Sequence, residues 1–130
     1  MTNGQTWRPV SDTAPALAIS HVAFSPVNPS VVYAATGEAD NGTQDSNLAG
    51  SLGTYLGGGL LKSTDGGETW FRVDTNLPPE AIISRVIPHP TDAQKVVVGL
   101  FRTPNFATGG FSIGGIYRSV VEALEYAKTL

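Results

Sequence analysis

Apolar positions along this chain come in short runs, and Gly, Pro, Asn and Asp interrupt them at close intervals. The runs are rich in β-branched and aromatic residues, which is the pattern of strands between turns. Strands are expected at Ala18 to Phe24, Val31 to Thr36, Gly59 to Ser63 and Thr69 to Val73. A second series is expected at Ile82 to Ile87, Lys95 to Phe101 and Gly115 to Ser119. A lone strand at Thr6 to Val10 precedes both. Residues 120–130 contain neither Gly nor Pro, and Val120, Leu124 and Ala127 fall at helical spacing. A short amphipathic helix is expected there.

The two series are copies of one unit. Ile19-Ser20-His21-Val22-Ala23-Phe24-Ser25-Pro26 recurs as Ile83-Ser84-Arg85-Val86-Ile87-Pro88-His89-Pro90, with Ser20, Val22 and Pro26 falling on Ser84, Val86 and Pro90 at an offset of 64. Val31 to Ala35 falls on Lys95 to Gly99 at the same offset. Gly58 to Ser63 recurs as Gly114 to Ser119 at an offset of 56, so the second connecting loop is eight residues shorter. Four-stranded units repeated at a fixed period read as blades of a β-propeller. The expected fold is therefore all-β: two four-stranded blades forming an incomplete ring, with a short C-terminal helix. Residues 1–119 hold the repeats, with 6–10 the lone fourth strand, 18–73 the first full blade and 82–119 a second blade lacking its fourth strand. Residues 120–130 form the tail outside the repeat.

Composition narrows this picture only a little. Gly 15 and Pro 9 in 130 residues suit many turns, and an apolar fraction of 41% suits a packed core. A net charge of −3 gives no electrostatic case for nucleic acid. No apolar stretch is long enough for a membrane-spanning helix. With no cysteine, disulfides and thiolate sites are excluded and the redox compartment stays open. Met1 to Trp7 lacks a charged-then-apolar signal pattern, and localisation is left open.

One stretch orders the rest: Ser63-Thr64-Asp65-Gly66-Gly67-Glu68-Thr69-Trp70. Asp65 is placed to accept backbone N–H groups ahead of it, Gly66 and Gly67 permit positive φ, and Thr69 and Trp70 suit an outgoing strand. The stretch resembles the Asp-box (BNR) motif S-x-D-x-G-x-T-W, and Ser63, Asp65, Gly67, Thr69 and Trp70 occupy its fixed positions. Thr2 to Trp7, T-N-G-Q-T-W, resembles a degenerate copy that keeps Gly4, Thr6 and Trp7. The runs A-F-S-P-V-N-P-S-V-V-Y-A-A-T-G-E and G-G-L-L-K-S-T-D-G-G-E-T-W resemble BNR/Asp-box propellers of the sialidase-superfamily type. Exported bacterial repeat proteins, xyloglucanase-like glycoside hydrolases, sortilin-type receptors and photosystem II assembly factors are similar in wording. The resemblance covers most of residues 2 to 119. It implies the architecture and a frequently exported parent family. The sialidase catalytic set, an arginine triad with a Tyr/Glu pair and an Asp, has no counterpart by motif here, and neither do the xyloglucanase aspartates.

Strands that run up and down put loops on two faces. The turns at Asn28, Asp65 and Asp92 share one face, and the long loops Gly37 to Gly58 and Arg102 to Gly114 share the other. Function favours long loops on a rigid scaffold, so the second face is the expected interaction surface. Glu38, Asp40 and Asp45 are the candidates for a catalytic carboxylate pair, with Tyr55, Phe106 and Phe111 available to stack on sugar. Asp40, Asn41 and Asp45 are the candidate Ca²⁺ ligands, without EF-hand spacing. A solvated, turn-forming loop accounts for the same residues and is the favoured reading; no cofactor is implied beyond that Ca²⁺. His21, His89 and Asp65 are expected to be structural. Arg72, Arg85, Arg102 and Arg118 are expected to be surface or blade-edge charges.

Two blades do not close a ring, so the expected partners are further blades or copies of the chain itself, with a glycan or protein as ligand. A fragment of a larger propeller is the first expectation. The second is an assembling unit, three copies giving six blades, with Thr6 to Val10 of one chain closing its neighbour's second blade. The expected function is a structural or interaction module without its own catalysis. The alternative is part of a glycoside hydrolase.

Overall fold

The structure, a computed structural model, describes residues 3–14, 18–38, 57–73, 77, 81–101, 103–105, 110–112, 114–119 and 126–128. Ten strands follow in order: β1 (Ile19–Phe24), β2 (Val32–Thr36), β3 (Leu60–Ser63), β4 (Phe71–Arg72), β5 (Ile83–Pro88), β6 (Val96–Leu100), β7 (Thr103–Asn105), β8 (Gly110–Ser112), β9 (Gly115–Ser119) and β10 (Tyr126–Lys128). They form two antiparallel four-stranded sheets, β1-β2-β3-β4 and β10-β9-β6-β5, and a separate β7-β8 pair. The fold is all-β among the described residues. The β7-β8 pair lies within the stretch expected to be a plain loop.

The internal repeat extends to the hydrogen bonds. In the first sheet Val22 pairs with Ala34 and Phe24 with Val32; in the second Val86 pairs with Val98 and Pro88 with Val96. The register slips once in each first strand, between Ile19 and His21 and between Ile83 and Arg85. Such a slip re-aims the strand, and here it turns a serine toward its neighbour. The Ser20 hydroxyl donates to Ala35 O at 3.2 Å, and the Ser84 hydroxyl donates to Gly99 O at 3.0 Å. Gly37 N donates to Ala18 O at 2.9 Å, and Phe101 N to Ile82 O at 2.8 Å. The β1-β2 and β5-β6 connections match too. Asn28 Oδ1 accepts from Ser30 N at 3.1 Å, and Asp92 Oδ1 accepts from Gln94 N at 2.9 Å. Every one of these pairs is related by 64 residues.

The sheets stack on one another. The cluster between them joins Val31, Tyr33, Ala35 and Leu60 of the first sheet to Ile83, Val86, Val96, Val98 and Leu100 of the second, with Val73, Leu77 and Ala81 from the connection. β5 lies against β1 and β2. Polar groups reinforce this seam. The Ser20 hydroxyl also donates to Ile83 O, Val86 N donates to His21 Nδ1 at 3.3 Å, and Tyr33 OH donates to Ala93 O at 3.5 Å. Burial raises the pKa of Tyr33. The approach is close enough to need glycine. A Cβ on Gly57 would lie 1.8 Å from Ala81 O, and one on Gly37 (φ +102) would lie 2.9 Å from Ile82 Cα.

Two expectations are corrected. The tail does not carry a helix through residues 126–128; these form β10, which pairs with β9 through Tyr126–Ser119, Ala127–Arg118 and Lys128–Tyr117. An isolated helix of this length is marginal, whereas β9 offers unpaired backbone groups along a sheet edge. The second sheet consequently has a fourth strand. Thr6 to Val10 forms no strand, since β10 already holds the edge it was expected to close.

Candidate functional site

The Ser63–Trp70 turn joins β3 to β4 and is held by its own side chains. The Ser63 hydroxyl accepts from Gly67 N at 2.9 Å and Asp65 N at 3.3 Å and donates to Asp65 Oδ1 at 2.7 Å. Asp65 Oδ1 also accepts from Thr69 N at 2.9 Å, and Asp65 Oδ2 accepts from the Thr69 hydroxyl. Trp70 Nε1 donates to Gly67 O at 2.9 Å, which lays the indole across the turn. Gly66 (φ +75) and Gly67 (φ +96) take the left-handed backbone the turn requires. Gly66 N donates to Ser30 O at 2.8 Å, so this turn and the β1-β2 turn sit on one end of the sheet.

These contacts decide the chemistry of Asp65. The Thr69 hydroxyl and backbone N–H, with the Ser63 hydroxyl, hold its pKa down to about 2. A carboxylate with both oxygens engaged and a depressed pKa is a poor proton donor near neutrality. Asp65 is a turn-builder. The same holds for Asp92, whose pKa is lowered by Gln94 N–H and then by Lys95.

The N-terminal segment repeats part of this geometry. Asn3 (φ 50) and Gly4 (φ 77) stand where Gly66 and Gly67 stand. A Cβ on Gly4 would meet the Trp7 ring at 3.7 Å, as one on Gly67 would meet the Trp70 ring at 3.7 Å. Trp7, however, is 88% exposed. The Arg8 guanidinium donates to the Glu68 carboxylate, an exposed pair that places the two turns side by side.

The candidates on the opposite end are only partly in view. Glu38 is half-buried, directly after Gly37 at the end of β2. Asp40, Asn41, Asp45, Tyr55, Phe106 and Arg102 lie outside the described residues, and Phe111 lies in β8. The Ca²⁺ and carboxylate-pair readings therefore fall outside the described residues apart from Glu38. Among the described residues no group of three or more His, Cys, Asp or Glu could hold a metal ion. His21 bridges the sheets, and His89 Nδ1 accepts from Thr91 N at 3.2 Å. No helix among the described residues is long and apolar enough to cross a membrane.

Thr36 was not singled out by sequence. It is fully buried, donates to Gly59 O at 2.6 Å and accepts from Gly58 N at 2.8 Å, which ties the start of β3 to the end of β2. Ser20 and Ser84 carried a visible signal, since both recur at the offset of 64, but the seam they build needs the strand slip to be seen.

No model of a known protein family matches the chain, and no curated protein matches it significantly.

Proposed function

We propose that this chain is a structural and interaction module of the β-propeller type, built from Asp-box-bearing blades. On this reading it presents the loops opposite the Ser63–Trp70 turn to a carbohydrate or protein ligand. The observation that carries the reading is the recurrence of the same turns, strand slips and serine hydrogen bonds at one offset in two stacked sheets. A scaffold so repeated positions loops; it spends its polar groups on itself. The state of Asp65 supports a module without its own catalysis, because the most conspicuous carboxylate of the sequence is consumed by its turn.

The test is a glycan array run beside a turnover screen on chromogenic glycosides, for the chain and its Glu38→Gln and Asp40→Asn variants. Retention of a glycan class without hydrolysis is expected. Hydrolysis that disappears on either substitution contradicts the reading and favours a glycoside hydrolase.

A further inference from the structure

The two sheets stack in a single sense, and the repeat shows what this implies for their free faces. Toward the second sheet, the first presents His21, Ala23, Tyr33, Ala35 and Leu60. The counterparts of these residues are Arg85, Ile87, Val97, Gly99 and Ile116, which share the far face of the second sheet. Conversely, Ile83, Val86 and Pro88 on the near face of β5 correspond to Ile19, Val22 and Phe24 on the far face of β1. The contact within the chain is thus heterologous, with two different surfaces joined head to tail. On the outside only part of each copy is uncovered: among the counterparts of Ile83, Val86, Val96 and Val98, Ile19 and Val22 are exposed whereas Val32 and Ala34 are buried.

Each outer surface is open in part: the first along β1 only, and the second at Ile87 and Ile116, with Arg85 and Arg118 exposed on the same face. Val22 is 50% and Phe24 60% exposed on β1, while Val32 and Ala34 beside them on β2 are buried. Ile87 is 61% and Ile116 55% exposed on the second sheet. Within the chain it is the first strand of one sheet, β5, that lies over the first two strands of the other. The open residues of β1 occupy the corresponding strand. One polar device is also available twice. Ser20 donates to Ile83 O across the existing seam, and Ser84, its counterpart, has Ile19 O as the matching acceptor in another copy. A second device is not repeated. Arg85 stands where His21 accepts from Val86 N, and a guanidinium accepts nothing. The outer contact is therefore weaker than the inner one and depends on concentration.

We infer that copies of this chain associate head to tail, the exposed residues of β1 of one lying over β5 and β6 of the next as β5 lies over β1 and β2 within one chain. The inference goes beyond the ligand reading and stands whichever ligand the loops take.

The experiment is sedimentation equilibrium of the chain, of Phe24→Glu and Ile87→Glu, and of an equimolar mixture of the two variants. Wild type is expected to exceed the 13.6 kDa of one chain, increasingly so with concentration. Each variant alone is expected to be monomeric, because every contact needs both surfaces. The mixture is expected to give a species of twice the single-chain mass that grows no further, since each variant contributes the surface the other has lost. Val22→Lys and Ile116→Lys form a second pair with the same expectation, and retention of the wild-type β-sheet circular dichroism shows that each variant is folded. A wild type that stays monomeric at millimolar concentration overturns the inference. So does a mixture that stays monomeric, or a pattern in which only one substitution abolishes association, which marks a symmetric face-to-face dimer.

Discussion

Gly57→Ala is the sharpest test of how the two sheets meet. The added Cβ would lie 1.8 Å from Ala81 O and 2.8 Å from Ala81 C. The first distance is more than 1 Å inside the 3.0 Å below which real Cβ contacts essentially never fall. The obstacle is backbone, so no rotamer change relieves it. Ala81 leads into Ile82 and Ile83, all three buried in or beside the seam, and moving them opens the core. Forcing one extra carbon into a packed core costs about 1–3 kcal/mol, and a backbone obstacle belongs at the upper end. At roughly 4 °C per kcal/mol for a domain of this size, the melting temperature should fall by about 12 °C. Thermal unfolding by circular dichroism measures it. Gly66→Ala is the control, because its Cβ meets nothing within 4 Å and only the φ of +75 resists it. That strain costs about 1 kcal/mol, roughly 4 °C. Ala81→Gly should not rescue Gly57→Ala, since the carbonyl remains. A Gly57→Ala chain that melts within about 2 °C of wild type would refute the close approach of the sheets.

Further expectations follow from the same geometry. Leu60 is fully buried in the seam, and Leu60→Ala should cost about 2–5 kcal/mol in urea unfolding, whereas Val22→Ala on the open face should stay within about 0.5 kcal/mol. Ser20→Ala should destabilise more than Ser84→Ala by about 1 kcal/mol, because only Ser20 bonds across to Ile83 O; equal losses would count against the bridge. Asp65 has a folded pKa of about 2 against an ordinary 3.8, so the unfolded chain takes up its proton first as pH falls. Its stabilising effect is present above about pH 4 and is lost as pH drops through about 2. Asp65→Asn should flatten the stability–pH curve in that window, and an unchanged curve would remove Asp65 from its turn.

The repeat made much of the fold legible. The offset of 64 identified β1 with β5 and β2 with β6, and each of these strands begins within one residue of its expected start. Ser63, Asp65 and Trp70 were readable as a turn because their roles are local and fixed by spacing. Features that depend on distant partners were not readable. Residues 126–128 look helical by periodicity, yet the open edge of β9 decides their structure. Thr6 to Val10 has strand-like residues, but β10 occupies the edge of β9 that it was expected to close. Gly57 looks like one glycine among several, because nothing local reveals that Ala81 O comes within reach. Glu38 could be placed at the end of β2, but its pairing with Asp40 or Asp45 depended on a loop whose spacing fixes no distance.

The central claim is that the two halves of the chain fold alike and stack in one sense. A nuclear Overhauser spectrum of the isotopically labelled chain tests it most directly. Cross-strand contacts should appear in matched pairs, Val22–Ala34 with Val86–Val98 and Phe24–Val32 with Pro88–Val96, together with contacts from the His21 ring to Val86 and from Tyr33 to the Val96–Val98 strand. Matched pairs without any contact between the halves, or pairs that break the offset of 64, would contradict the account.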